Sequence, residues 1–135
     1  MERPSPARRA LLKAAFSLAV ALPAIALAQG RPIEWVVGYA AGGGSDVVAR
    51  AVAAQMTQSM GRTIMINNKP GAATNIAAGY VAQSKDTGNV MLTADFATLA
   101  ANQAMFSKLP YDPHKDFNSV GLLARFPLFL EVGPN

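Results

Sequence analysis

Residues 33–46 read Ile33-Glu34-Trp35-Val36-Val37-Gly38-Tyr39-Ala40-Ala41-Gly42-Gly43-Gly44-Ser45-Asp46. The first seven are a short apolar run of β-forming residues, the mark of a mostly buried strand. The run passes into glycines, and Ser45 or Asp46 then offers an N-cap for a helix. That helix is predicted from about Val47 to Met60, with Val48, Ala51, Val52 and Met56 at helical spacing and Gly61 as its stop. A strand that runs through glycines into a helix is the opening unit of an α/β fold.

The pattern continues in the same order. Thr63–Asn67 is a second strand, closed by the turn Asn68-Lys69-Pro70-Gly71, and a second helix is expected from Thr74 or Asn75 to Gln83. Val90–Thr93 is a third strand, and Phe96–Phe106 a third helix. Val120–Ala124 and Leu128–Val132 read as two more strands. Strand–helix–strand order at this spacing predicts parallel strands joined by helical crossovers. The predicted fold class is therefore α/β, a parallel sheet with flanking helices. The chain stops at Gly133-Pro134-Asn135, directly after a predicted strand, and this ending is read as truncation.

Residues 1–28 carry the three parts of a secretory signal. Arg3, Arg8, Arg9 and Lys13 form a basic segment, Ala14–Leu27 is uncharged and apolar, and Ala26-Leu27-Ala28 is a cleavage site that leaves Gln29 as the first mature residue. A membrane anchor is disfavoured, because a spanning helix needs about 20 apolar residues and this run is shorter and holds Pro23. No stable membrane insertion is expected after cleavage. Arg8-Arg9-Ala10-Leu11-Leu12-Lys13 resembles a twin-arginine signal, and the route stays open between the general secretory pathway and that one.

Of 12 basic and 8 acidic residues, four basic and one acidic lie in residues 1–28. The mature segment, residues 29–135, keeps 8 basic and 7 acidic residues, a net charge of +1. The sequence pI of 9.8 thus belongs to the precursor, and nucleic acid drops off the list of partners. There is no cysteine, so an exported domain of this kind rests on its apolar core and not on disulfides.

Loops at the carboxyl ends of parallel strands are where open α/β sheets hold ligands. In the first loop, Ala41, Gly42, Gly43 and Gly44 allow close backbone approach, Ser45 adds a hydroxyl, and the helix N-terminus with Asp46 favours an anion. The second loop, Gly71-Ala72-Ala73-Thr74-Asn75, repeats the design. Thr74 or Asn75 either caps the helix or contacts ligand. In the third crossover Asp95 is either an N-cap or a selector for a ligand's positive group. With Tyr39 these are the candidate ligand-binding residues.

A dinucleotide fingerprint fails, because Val47 stands where its third glycine belongs. The nucleophile elbow lacks its last glycine around Ser45, and the single histidine, His114, sits in a polar turn. An exported serine hydrolase using Ser45 is the alternative from another class, and a non-functional truncated fragment the third. No catalytic set, no metal site and no cofactor is expected.

Arg31-Pro32-Ile33, Val36–Asp46 with Ala49-Arg50, Asn67–Ala72, Asn75-Ile76-Ala77 and Leu109-Pro110-Tyr111-Asp112-Pro113-His114-Lys115-Asp116-Phe117 together resemble the N-terminal part of the Bug-type solute receptors. These are the extracytoplasmic binding proteins of the tripartite tricarboxylate transporters. The resemblance implies a two-lobed periplasmic-binding-protein fold, here only the first lobe. It implies a small carboxylated solute held largely by backbone groups and water, and the membrane subunits of such a transporter as partners. Tyr39 stands where this family usually has Phe or another apolar residue, Lys85–Asn89 replaces a Pro-Asp-Gly turn, and Asp95 is atypical.

Overall fold

The computed structural model describes residues 30–126 and Gly133. The signal segment, Gln29 and the expected strand Leu128–Val132 lie outside the described residues.

The elements are β1 (Ile33–Val37), α1 (Gly44–Met60), β2 (Ile64–Asn68), a one-turn segment Ala72–Thr74, α2 (Asn75–Ala82), β3 (Val90–Thr93), a π-helical turn Ala97–Ala101 and α3 (Asn102–Met105). The strands form one sheet in the order β2-β1-β3, parallel throughout. The predicted α/β class therefore holds. Ile33 pairs with Ile64 and Val37 with Asn68 on one side, while Glu34 pairs with Val90 and Val37 with Thr93 on the other.

As the central strand, β1 is covered on both faces, as its apolar run requires. Trp35 and Val37 point to one face and pack on Ala49 and Ala53 of α1, with Val52, Met56, Ile64, Ile66 and Met91 around them. Glu34 lies on the opposite face, where Tyr80 of α2 donates its hydroxyl to the Glu34 carboxylate at 2.9 Å. Val36 and Val37 are fully buried, and burying each contributes about 1.5–3 kcal/mol. The Trp35 indole N–H donates to Thr93 Oγ1 at 2.8 Å, so the one polar atom of the ring is satisfied inside the sheet.

Three expectations need correction. Neither Ser45 nor Asp46 caps α1. The helix begins at Gly44, with Gly43 in the N-cap position and no side-chain capping bond. The Asp46 side chain is instead taken up by Gly42, Arg50 and Asn68, described below. On α1 the buried face is centred on Ala49 and Ala53, while Ala51 is exposed. Two alanines let the helix lie close on β1. Val120–Ala124 forms no strand, and Val120 and Leu122 are 94% and 73% exposed. β-propensity alone does not make a strand, and among the described residues no ladder partner satisfies this backbone. The α1 stop is as expected: Gly61 has φ 62° and its N–H donates to Thr57 O at 3.1 Å.

Candidate functional site

Because all three strands run the same way, the segments after β1, β2 and β3 emerge along one edge of the sheet. In the first loop Gly42 adopts φ 83°, a conformation glycine takes without strain. Val47 N–H returns to Gly43 O at 3.0 Å. The amides of Gly44, Ser45 and Asp46 precede that first helical bond and have no intrahelical acceptor. Ala41 to Gly44 are exposed and Ser45 is half-buried.

Asp46 is 2% exposed. Its Oδ2 accepts Gly42 N–H and Arg50 Nε–H, each at 2.9 Å, and its Oδ1 accepts Asn68 Nδ2–H at 2.9 Å. Arg50 reaches on to Asn68 Oδ1 at 3.0 Å, and Asn68 also donates to Tyr39 O at 3.0 Å. The Arg50 guanidinium, then the Gly42 amide and Asn68, hold the Asp46 carboxyl far below the usual carboxylate range. Its side chain is thus committed to the shape of the glycine loop, and what it offers a ligand is its backbone N–H.

The second loop is more unusual. Gly71 has φ 126°, and Ala72, Ala73 and Thr74 follow at 46°, 49° and 73°. Three successive non-glycine residues in the left-handed region cost about 1–2 kcal/mol each, and such strain persists only where the surroundings impose it. Here a buried polar cluster imposes it. Asn102 Nδ2 donates to Ala73 O and to Asn75 Oδ1, both at 2.7 Å. Tyr111 OH lies 3.0 Å from Asn75 Oδ1 and 2.9 Å from Thr98 O. The hydroxyls of Thr74 and Thr98 are 2.7 Å apart. Thr74, Asn75, Thr98, Asn102 and Tyr111 are all buried.

The alternatives left open for Thr74 and Asn75 resolve against capping. Thr74 occupies the N-cap position of α2 but makes no side-chain capping bond, and the Asn75 side chain turns inward to Asn102 and Tyr111. Gly71, Ala72 and Ala73 remain exposed. The two loops also touch: a Cβ on Gly38, just past β1, would stand 2.9 Å from Thr74 Cβ.

Asp95 does cap its helix. Its Oδ1 accepts Thr98 N–H at 3.0 Å and Thr98 Oγ1–H at 3.1 Å. Its other oxygen, Oδ2, accepts the Tyr39 hydroxyl. That bond, with partial burial, pushes the Tyr39 phenol up to about 12.

Tyr39, Ala41 to Asp46, Gly71 to Asn75 and Asp95 thus share one edge, as the sequence reading placed them. It missed Arg50, Asn68, Thr98, Asn102, Tyr111 and Gly38. Three had a local signal. Arg50 follows Asp46 by four residues, and Thr98 and Asn102 are polar residues four apart on a helix, hence on one face. His114 lies elsewhere, in an open recess with Gln103, Phe106, Ser107, Leu109, Tyr111, Asp112 and Pro113 that contains none of the expected site residues.

The edge's exposed donors are backbone amides, for the nearby cations are engaged: Arg50 with Asp46 and Lys69 over the Tyr80 ring at 4.1 Å. Such an edge suits a small anion held by helix-end amides. Among the described residues there is no group of three or more His, Asp or Glu placed to hold a metal.

The parallel sheet and its flanking helices match part of the fold of solved periplasmic binding proteins, one of them a periplasmic transporter at 35% identity and TM-score 0.60 over 62% of this chain and 28% of that one. The chain belongs to the TctC family, the receptors of the tripartite tricarboxylate transporter family, whose family model matches residues 48–135. It is similar to a UPF0065 protein of Bordetella bronchiseptica, at 38% identity over 128 residues that cover 93% of this chain and 38% of that protein. It is also similar to BugT of Bordetella pertussis, at 30% identity, covering 77% of this chain and 32% of that one. MatC from Rhodopseudomonas palustris, solved with bound malate, aligns at 39% identity and TM-score 0.66, over 70% of this chain and 32% of that one. A second R. palustris protein, solved with adipate, aligns at 32% identity and TM-score 0.60, over 63% and 28%. The chain therefore spans under two-fifths of the length of these relatives. Among the described residues no helix is long and apolar enough to cross a membrane.

Proposed function

We propose that this chain is the N-terminal part of an exported receptor that binds a small carboxylated solute at the edge formed by residues 39–46 and 71–75. In this reading residues 1–28 direct export to the periplasm and are removed. The loaded receptor then hands its solute to the membrane subunits of a tripartite tricarboxylate transporter.

The observation that carries the reading is the second loop. Three residues held left-handed by a buried cluster form a strained, fixed backbone surface on the same edge as the amides of Gly44 to Asp46, which have no acceptor among the described residues. A carboxylate held there needs no arginine clamp. Membership of a carboxylate-receptor family, with relatives solved holding malate and adipate, points the same way.

The test is a thermal-shift panel of mono-, di- and tricarboxylates on the purified chain, with glucose and cadaverine, which carry no carboxylate, as controls. Stabilisation by at least one carboxylate and by neither control is expected. Failure of every carboxylate, repeated with the chain joined to the remainder of a full-length receptor, would defeat the proposal.

A further inference from the structure

The binding edge is electrically two-sided. At the start of α1 it offers donors, the amides of Gly44 to Asp46, which have no acceptor among the described residues. Between β1 and β3 it offers the opposite. Tyr39 OH spends its one proton on Asp95 Oδ2, so the phenol oxygen that remains can only accept. Asp95 Oδ1 is filled by the N–H and the hydroxyl of Thr98, while Oδ2 keeps one free lone-pair position. Tyr39 is 38% exposed and Asp95 half-buried, so both acceptors stand at the edge. Among the described residues Asp95 has no ion-pair partner.

We infer that the Tyr39–Asp95 pair is a specificity determinant, selecting solutes that carry a hydrogen-bond donor, an ammonium or a hydroxyl, beside the carboxylate held by the helix-end amides. The inference rests on the proposed carboxylate site and adds to it the class of solute. The thermodynamic reason is that the Asp95 carboxylate has no cation to balance it among the described residues, and a ligand ammonium supplies that charge in place of water. A hydroxyl supplies the hydrogen bond without the charge. A plain carboxylate supplies neither.

Succinate, L-malate and L-aspartate share one carbon skeleton and differ at a single carbon by hydrogen, hydroxyl and ammonium. Titrating each into the chain, followed by NMR so that weak binding is measurable, reads the preference directly. Aspartate is expected to bind about tenfold more tightly than succinate, the worth of one charge-assisted hydrogen bond, with malate between them. Asp95→Asn keeps a capping oxygen for Thr98 and should bring the three affinities together. Tyr39→Phe should shrink the malate advantage while leaving a residual preference for aspartate. Equal affinity for succinate and aspartate in the native chain, or an aspartate preference that survives Asp95→Asn, overturns the inference while leaving the carboxylate site standing. No binding by any of the three counts against the site itself.

Discussion

Replacing Asn102 by alanine tests whether the left-handed turn is imposed by the buried cluster. The side chain is fully buried and donates two hydrogen bonds of 2.7 Å, to Ala73 O and Asn75 Oδ1. Two neutral hydrogen bonds contribute about 1 kcal/mol each. Emptying a packed position adds about 1 kcal/mol more. Against this, Asn102 Oδ1 is a buried acceptor without a partner, and deleting it returns about 1 kcal/mol. The balance is a loss of about 2 kcal/mol, read as a lower urea midpoint at unchanged slope. Asn102→Asp should do worse near neutral pH, because oxygen then faces two acceptors across the same gap. Burial raises the carboxyl pKa of that variant in the folded state, so its deficit should shrink as the pH falls. Ala73→Gly should stabilise by about 1 kcal/mol, since glycine meets no penalty at φ 49°. A loss below about 0.5 kcal/mol for Asn102→Ala, or an ordinary glycine penalty at position 73, would mean that the buried cluster does not impose the turn.

Much of the fold was legible because it is local. The apolar run expected as a strand over Ile33–Tyr39, the glycines after it and the stop at Gly61 each act within a few residues; the strand forms but ends two residues early, at Val37, and Gly61 stops α1 as expected. β3 has the predicted limits and β2 is displaced by a single residue. Val120–Ala124 failed for a non-local reason: a strand needs a partner, and propensity does not say whether one is there. The site divides in the same way. Its loops were legible from glycines at strand ends, but the residues that shape them were not. Asn102 reaches Asn75 across 27 residues and Asn68 reaches Asp46 across 22, separations that no periodicity reports. Asp46 is no cap because Gly42, Arg50 and Asn68 take up its carboxylate, and of these only Asn68 is remote in sequence.

Acid should loosen the glycine loop. The folded-state pKa of Asp46 is depressed, so the stability it contributes is present above its unfolded value of about 4 and is lost as the pH falls below that. Thermal melts should show this acid limb, and Asp46→Asn should flatten it while lowering the melting temperature at neutral pH. Gly38→Ala places a Cβ 2.9 Å from Thr74 Cβ and 3.3 Å from Thr74 Cα. A cost of about 1–3 kcal/mol is expected in urea unfolding, with larger amide-shift changes at 72–74 than in α1. The intact mass of the exported product should correspond to a chain starting at Gln29, and a retained N-terminus would contradict the signal reading.

In the proposed function a carboxylate sits on the backbone of two loops at one sheet edge. Amide NMR shifts followed during titration with L-malate test it most directly, because they report both binding and place. Saturable shifts concentrated in Gly42–Asp46 and Gly71–Asn75 are predicted, with the core of α1 beyond Ala53 unmoved. Saturable shifts confined to the recess around His114, or no saturable shift in either loop, would contradict it.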